Sequence, residues 1–340
     1  MNRRVRIAGG GLAGLALGIG LRRRGVPVTI FETGHYPRHR VCGEFISGRG
    51  GEILGRLVET QPEIVEAGLL QMFLGSRASP VRVLPRPAWN ISRYELDRAL
   101  AREFQRLGGE LRERERWAGD ASQEGIVLAS GRRLQPEAGA DRWFGVKCHA
   151  RGLVMEADLE MHFSGRGYVG ISRLPRGEFN VCGLFRQQPG AATPASRLEW
   201  LRGEPGTALR DRLEGAEWIE DSFCGVAGIA LRPGRGADRT ECCIGDSLTM
   251  IPPITGNGMS MALESAEFAV DPLAGWSGGG MDWVTARGRV ARDCDSAFAS
   301  RLGWARWLQG MVLSPVVQGT IGAVLLRSGW LAGKFYDRTR

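Results

Sequence analysis

The chain opens on a short apolar run, Val5 to Ala8, which Gly9-Gly10-Gly11 interrupts. From Leu12 the apolar positions recur at helical spacing (Leu12, Leu15, Ala16, Ile19) and stop at Arg22-Arg23-Arg24-Gly25. Cations followed by a glycine suit a helix C-terminus. Val26 to Phe31 reads as a second strand closed by Glu32, so residues 5–32 predict a right-handed βαβ unit. The pattern then predicts a loop over 33–51 and short strands between Gly75 and Trp89, punctuated by Pro80, Pro85 and Pro87. An amphipathic helix follows from Arg93 to Leu107, with Leu96, Ala99, Leu100 and Phe104 inward, and then strands near 110–117 and 125–130. Period-two alternation at Val146–Ala150, Leu159–Phe163, Tyr168–Ser172 and Phe179–Phe185 predicts an antiparallel sheet. Gly245 to Ala269 reads as a loop feeding a helix, and the chain from Asp282 onward as mostly helical.

Composition narrows the class. A chain of 340 residues, 43% hydrophobic and 24% charged, is long enough for about two structural units around a sizeable core. That excludes a disulfide mini-protein, a collagen-like repeat and a disordered tail. The 45 basic residues exceed the 37 acidic ones, giving +8, and only Lys147 and Lys334 are lysines. The arginines are spread along the chain, whereas a nucleic-acid binder gathers its cations on one face, so no nucleic-acid partner is expected. Glycine, at 50 residues, is about twice its average usage of roughly 7%. Seven irregularly spaced cysteines without a leader sequence point to free thiols in a reducing cytoplasm. No metal site is expected, because Cys242 and Cys243 are adjacent, C-x-x-C is absent and the four histidines are scattered.

Two segments carry chemistry. Gly9-x-Gly11-x-x-Gly14, running into Leu12 and Ala13 at a helix start, is followed by Glu32 at the end of the second strand. The first glycine permits the tight turn, the second lets backbone approach a pyrophosphate, and the third lets helix and strand pack closely. The acid suits a ribose diol, so the unit predicts an adenine dinucleotide with an unphosphorylated ribose, FAD or NAD, over a glycine-rich turn in a plain α/β fold. The second segment is Cys242-Cys243-Ile244-Gly245-Asp246, then Ile251-Pro252-Pro253-Ile254-Thr255-Gly256-Asn257-Gly258-Met259 opening a helix. It places a carboxylate at a strand's C-terminal edge and free amides at another helix N-terminus. One long ligand spanning both segments explains them together.

These motifs, with Arg40-Val41-Cys42-Gly43-Glu44 and Ile91-Ser92-Arg93-x-Glu95-Leu96-Asp97, resemble FAD-dependent oxidoreductases of the aromatic hydroxylase, flavin-dependent halogenase and geranylgeranyl reductase superfamily. Tyr168-x-Gly170 to Pro175 and Asn180-Val181-Cys182-Gly183 resemble the substrate-sheet segment of the reductase and halogenase branch, and the resemblance spans residues 3–270. It implies an α/β (α+β mixed) fold: a Rossmann-like FAD-binding domain, an interleaved antiparallel-sheet substrate domain and a helical C-terminal tail. The expected division is 1–74, 90–135 and 240–275 for FAD, 75–89 and 136–239 for substrate, and 276–340 for the tail.

The resemblance also implies roles. Gly9, Gly11, Gly14 and Glu32 would hold the AMP half, Arg40 would lie along the cofactor near the ring or pyrophosphate, and Arg93 would contact the adenosine or diphosphate region. Asp246, after Gly245, would reach the ribityl chain or diphosphate, and Pro253, Gly256, Asn257, Gly258 and Met259 would present backbone to the isoalloxazine edge. Arg93 as a helix cap and Arg40 as a solvated loop cation are the plain alternatives. Departures are also visible. Leu128-Ala129-Ser130-Gly131-Arg132 stands where hydroxylases carry an Asp-Gly pair, and Ser247-Leu248-Thr249 where many have a His. The halogenase Trp-x-Trp-x-Ile-Pro signature is missing, lysines are scarce, and the tryptophan expected in prenyl reductases is replaced by Gly170 or its neighbours. The interval from Arg112 to Gly131 is short for the usual sheet meander. Halogenation is disfavoured; oxygenation and C=C reduction both stay open.

Candidate catalytic groups are few: Cys42 on a loop near the expected flavin, and His149 and His162 on strands of the expected sheet. Phe144, Val146, Phe163, Tyr168 and Phe185 could line a substrate cavity, with Arg173 or a histidine orienting one polar group. Trp307 to Leu326 lacks charge and could roof that cavity or touch lipid as a peripheral contact. The expected enzyme acts on a small hydrophobic substrate and takes electrons from transient NAD(P)H, since no second glycine-rich βαβ unit is visible. A non-catalytic FAD-binding protein and an NAD dehydrogenase are the competing classes.

Overall fold

The computed structural model describes residues 2–132, 142–187, 198–229 and 234–314, with residues 196, 317 and 338. Strand β1 (Val5–Ala8), helix α1 (Leu12–Arg23) and β2 (Val28–Glu32) form the βαβ unit. Next come β3 (Phe45–Ile46), α2 (Arg49–Leu57), β4 (Val65–Leu74), β5 (Arg77–Ala78), β6 (Arg82–Asn90), α3 (Arg93–Arg106), β7 (Glu110–Glu113) and β8 (Ile126–Leu128). Strands β9 (Arg142–Arg151), β10 (Leu159–Ser164), β11 (Gly167–Arg173) and β12 (Phe179–Gln187) precede the short helices α4 (Glu199–Arg202) and α5 (Ala208–Arg212). Strand β13 (Glu217–Ala227), β14 (Cys242–Cys243), α6 (Gly258–Ser277) and α7 (Trp283–Val312) complete the order.

Two sheets result. The first has the order β14-β8-β1-β2-β7, and its pairs are parallel. Its inner strands β1, β2 and β8 are largely apolar because helices α1, α3 and α6 cover them in the larger core, whereas the edge strand β7 is charged and exposed. The second has the order β13-β9-β12-β11-β10-β4-β6-β3, antiparallel except where β4 runs parallel to β10. Strands of the two sheets alternate along the chain, so the architecture is interleaved. Residues 65–74, grouped above with the cofactor segments, pair between β10 and β6 in the second sheet.

Helix α2 and strand β4 go beyond the sequence reading. Helix α2 contains Gly50, Gly51 and Gly55, poor helix formers, and is held by burying Ile53, Leu54 and Leu57. Helix α3 starts where Ser92 accepts the Tyr94 N–H, a good N-cap. Asp282 caps α7 in the same way, accepting from the Thr285 N–H at 2.8 Å. Among the described residues no helix is long and apolar enough to cross a membrane.

Candidate functional site

At the C-terminal ends of β1 and β2 the backbone turns into α1 through Gly9 to Gly14. A Cβ at Gly14 would stand 2.0 Å from the Gly9 carbonyl oxygen, and one at Gly9 would meet Ala129 backbone at 2.4 Å, so close packing demands both glycines. Gly11 differs: a Cβ there meets nothing within 4 Å. Gly11 is also the N-cap of α1, with no side-chain cap and no acid in the first turn, so the helix's first amides and its positive end face open space. This is a cradle for an anion such as a diphosphate.

Glu32, 3% exposed, ends β2. Its Oε2 accepts from the Gly10 N–H at 3.0 Å and from Arg40 at 3.4 Å; its Oε1 accepts from the Gly34 N–H, Arg38 and Thr33. Burial pushes the carboxyl up, but the amides and the two guanidiniums hold it net below its usual value. Five donors meet about four lone-pair sites. A ribose diol would therefore reach Glu32 by displacing an arginine. Arg40 bridges Glu32 to Asp97 at 2.9 Å, which places it beside the end of β2 on the cavity's border. Arg93 opens α3 with a two-pronged contact to Asp97, at 2.7 and 2.9 Å, so it is a helix-start anchor that also borders the cavity.

One cavity of about 1110 Å³ runs from this cradle to the second sheet, above the roughly 300–1,000 Å³ usual for one ligand. Gly9, Gly11, Leu12, Ala13, Glu32, Arg40, Cys42 and Arg93 border it on one side. Gly245, Asp246, Pro253, Gly256, Gly258 and Met259 border it on the other. Gly14 lies behind the cradle, and Asn257 is buried as the N-cap of α6. Asp246 is ringed by protein yet exposed to the cavity, and among the described residues no hydrogen bond reaches its carboxylate. Desolvation raises its pKa, with Arg132 and Arg93 opposing. A carboxylate so placed fits ligand hydroxyls. The open cradle, the unbonded Asp246 and the amides of α6 together fit an extended FAD.

The catalytic candidates separate. Cys42 borders the cavity, but burial raises its pKa despite Arg93, so it stays a neutral thiol. His149 lies behind the 40–44 loop, its Nε2 2.6 Å from Glu44 Oε2. His162 faces the reverse side of the sheet, stacked on Phe73 and 2.9 Å from Glu160. Phe144, Val146 and Phe185 also pack on that reverse side, with Leu201 and Leu209 of α4 and α5, which corrects their expected place in the cavity. Arg173 likewise lies outside it, beside Asp158 and over Phe179. Phe163 and Tyr168 do line it. Residues 308, 311, 312 and 317 contribute to its roof; positions 318–326 of the uncharged tail lie outside the described residues.

Sequence reasoning overlooked the group behind Cys42. Glu44 and Lys147 are both 0% exposed and 3.2 Å apart, and Lys147 also reaches His39 at 3.1 Å. The available signal was a lysine, one of two in an arginine-rich chain, standing inside an apolar strand. None of the seven cysteines is joined in a disulfide, and no cluster of metal-binding side chains occurs among the described residues.

The fold, a parallel five-stranded sheet beside a larger mixed sheet, is shared with solved flavoprotein structures. No sequence-family model and no characterised protein matches the chain by sequence. The flavin-dependent brominase Bmp2 is similar in structure over 100% of both chains, at 17% identity and a TM-score of 0.71. The myxobacterial chondrochloren halogenase CndH matches over 93% of this chain and 84% of its own, at 15% identity and a TM-score of 0.71. PqsL of P. aeruginosa, solved with 2-aminobenzoylacetate, matches over 94% and 100%, at 16% identity and a TM-score of 0.69.

Proposed function

We propose that the protein is an FAD-dependent oxidoreductase of the monooxygenase type, acting on a hydrophobic organic molecule and reduced by transiently bound NAD(P)H. The observation that carries this reading is the continuity of the cavity. The glycine cradle, Asp246 and the α6 amides open onto the same space as Phe163, Tyr168, Leu184 and Val226. When bound, FAD would supply electron transfer and oxygen chemistry. The chain's own residues do the rest. The α1 amides and Gly11 take the diphosphate, and Asp246 accepts from hydroxyls. The N-terminus of α6 faces negative charge, and the apolar wall excludes water and orients the substrate.

Halogenation fits less well. The Trp-x-Trp-x-Ile-Pro signature is absent, and Lys147 is sealed against Glu44 away from the cavity; Lys334 lies outside the described residues. Trp307, 52% exposed near the end of α7, is the described residue that supports peripheral lipid contact.

The test is spectroscopic. The purified protein should carry or take up FAD, and polycyclic, polyketide-like or prenyl compounds should stimulate NADPH-dependent oxygen uptake with oxygen entering the product. Product formed without oxygen would reassign the reaction to C=C reduction. Failure to bind FAD would remove the proposal.

A further inference from the structure

Cross-strand register arranges the cavity wall in rungs. Met72, Met161, Gly170, Cys182, Lys147 and Cys224 are successive direct partners from β4 through β10, β11, β12 and β9 to β13. Direct partners share a face. All but the sealed Lys147 border the cavity. Two residues along each strand, the next rung is Leu74, Phe163, Tyr168, Leu184, Gly145 and Val226. On the other side, Ser172 donates to the Gly43 carbonyl at 3.2 Å. The wall thus carries a sulfur-bearing middle rung beside an aromatic and aliphatic edge.

Gly170 interrupts the middle rung. Glycine inside a strand marks a bulge, a required unusual backbone, or the close approach of another backbone or a ligand. The first is excluded because β11 pairs without register shift on both sides, from Gly167 to Arg173. The second is excluded because Gly170 is not among the positive-φ glycines. A Cβ there would meet Met161 Sδ at 3.3 Å and, beyond it, only carbonyl oxygens of the two flanking strands at 3.8 and 4.0 Å. No further backbone closes on the position, and beside the Met161 thioether Gly170 borders the open cavity.

We propose that Gly170 determines substrate specificity: the hollow it leaves between Met161 and Cys182 receives the flat face of a fused-ring substrate. The thioethers of Met161 and Met72 are suited to ring contacts, and Phe163 and Tyr168 flank them. A larger residue at 170 fills the hollow and leaves the rest of the cavity intact. This inference rests on the flavoenzyme reading above.

Equilibrium dialysis of the flavin-loaded protein against phenol and 2-naphthol tests it. Gly170→Leu should weaken 2-naphthol binding at least tenfold, change phenol binding less than threefold and leave flavin content unaltered. Adding Met161→Ala should bring 2-naphthol back to within threefold of the wild type. Equal loss of both compounds, unchanged 2-naphthol binding or loss of flavin overturns the assignment. If Gly170→Leu does not fold, Gly170→Ala and Met161→Phe narrow the same hollow, and unchanged 2-naphthol affinity in both overturns it. A flavin-loaded wild type that binds neither compound refutes the inference alone. A chain that cannot be loaded with flavin refutes the earlier reading, and dialysis on that protein still reads the hollow.

Discussion

Lys147→Met should loosen the segment that carries Cys42 toward the cavity. The Lys147 ammonium is fully buried, 3.2 Å from Glu44 Oε1. Glu44 also accepts the Arg93 N–H at 2.8 Å and pairs with His149 at 2.6 Å. Removing one partner of a buried ion pair costs about 3–5 kcal/mol. Because two hydrogen bonds to Glu44 survive, the expected loss lies near the lower end, about 3 kcal/mol. Glu44→Gln should cost a similar amount, and the double variant less than the sum, with a coupling of about 1–3 kcal/mol. Urea unfolding of the flavin-free protein at neutral pH measures all three. The pH dependence adds a sign. Burial pushes the Glu44 carboxyl up, but Lys147 and His149 hold it net below its ordinary 4.5. Its contribution is therefore complete above that value and is lost as pH falls through the lower folded one. Lys147→Met should move that loss to higher pH. A Lys147→Met cost under about 0.5 kcal/mol, or strictly additive single losses, would refute the clamp.

Other expectations are simpler. Gly11→Ala should change the apoprotein's unfolding midpoint little, because its φ is −77° and its Cβ meets nothing, yet lower flavin retention measured by absorbance ratio. Glu32→Ala should purify with less flavin than the wild type, and full occupancy would count against the adenosine assignment. His39 is held at about 4, against 6.5, by burial and the neighbouring Lys147. The unfolded chain therefore takes the proton first, so stability should fall between pH 6.5 and 4, and His39→Gln should flatten that slope in urea titrations. His162→Asn should lower stability without altering ligand-induced flavin spectra, since the imidazole faces away from the cavity.

Legibility in the sequence followed distance along the chain. The βαβ unit could be read because Gly9, Gly11, Gly14 and Glu32 express local requirements within one turn and one crossover. Glu44 and Lys147 were silent, since 103 residues separate them and only the folded sheet brings them together. Alternation located β9 to β12 but could not say which face was the cavity wall. Both faces are buried, so Val146 and Cys148 look as interior as Leu184. Helix α2 was hidden by its glycines, and β4 by its mixed pattern, with half-buried residues at most positions.

The 38–44 segment explains why the two ends of the cavity act as one site. Arg38 and Arg40 hold Glu32 at the end of β2. Asn180 donates to the Cys42 carbonyl at 3.0 Å, and Ser172 to that of Gly43 at 3.2 Å, tying the same segment to the second sheet. Glu44 adopts φ 53°, a left-handed conformation that costs a non-glycine residue about 1–2 kcal/mol. It persists because the Ile91 N–H bonds its carbonyl and Lys147, His149 and the Arg93 N–H satisfy its carboxylate. A ligand that displaces an arginine from Glu32 therefore acts on a backbone already fixed at its other end. That anchoring keeps Cys42 and Gly43 against the cavity whatever changes around Glu32.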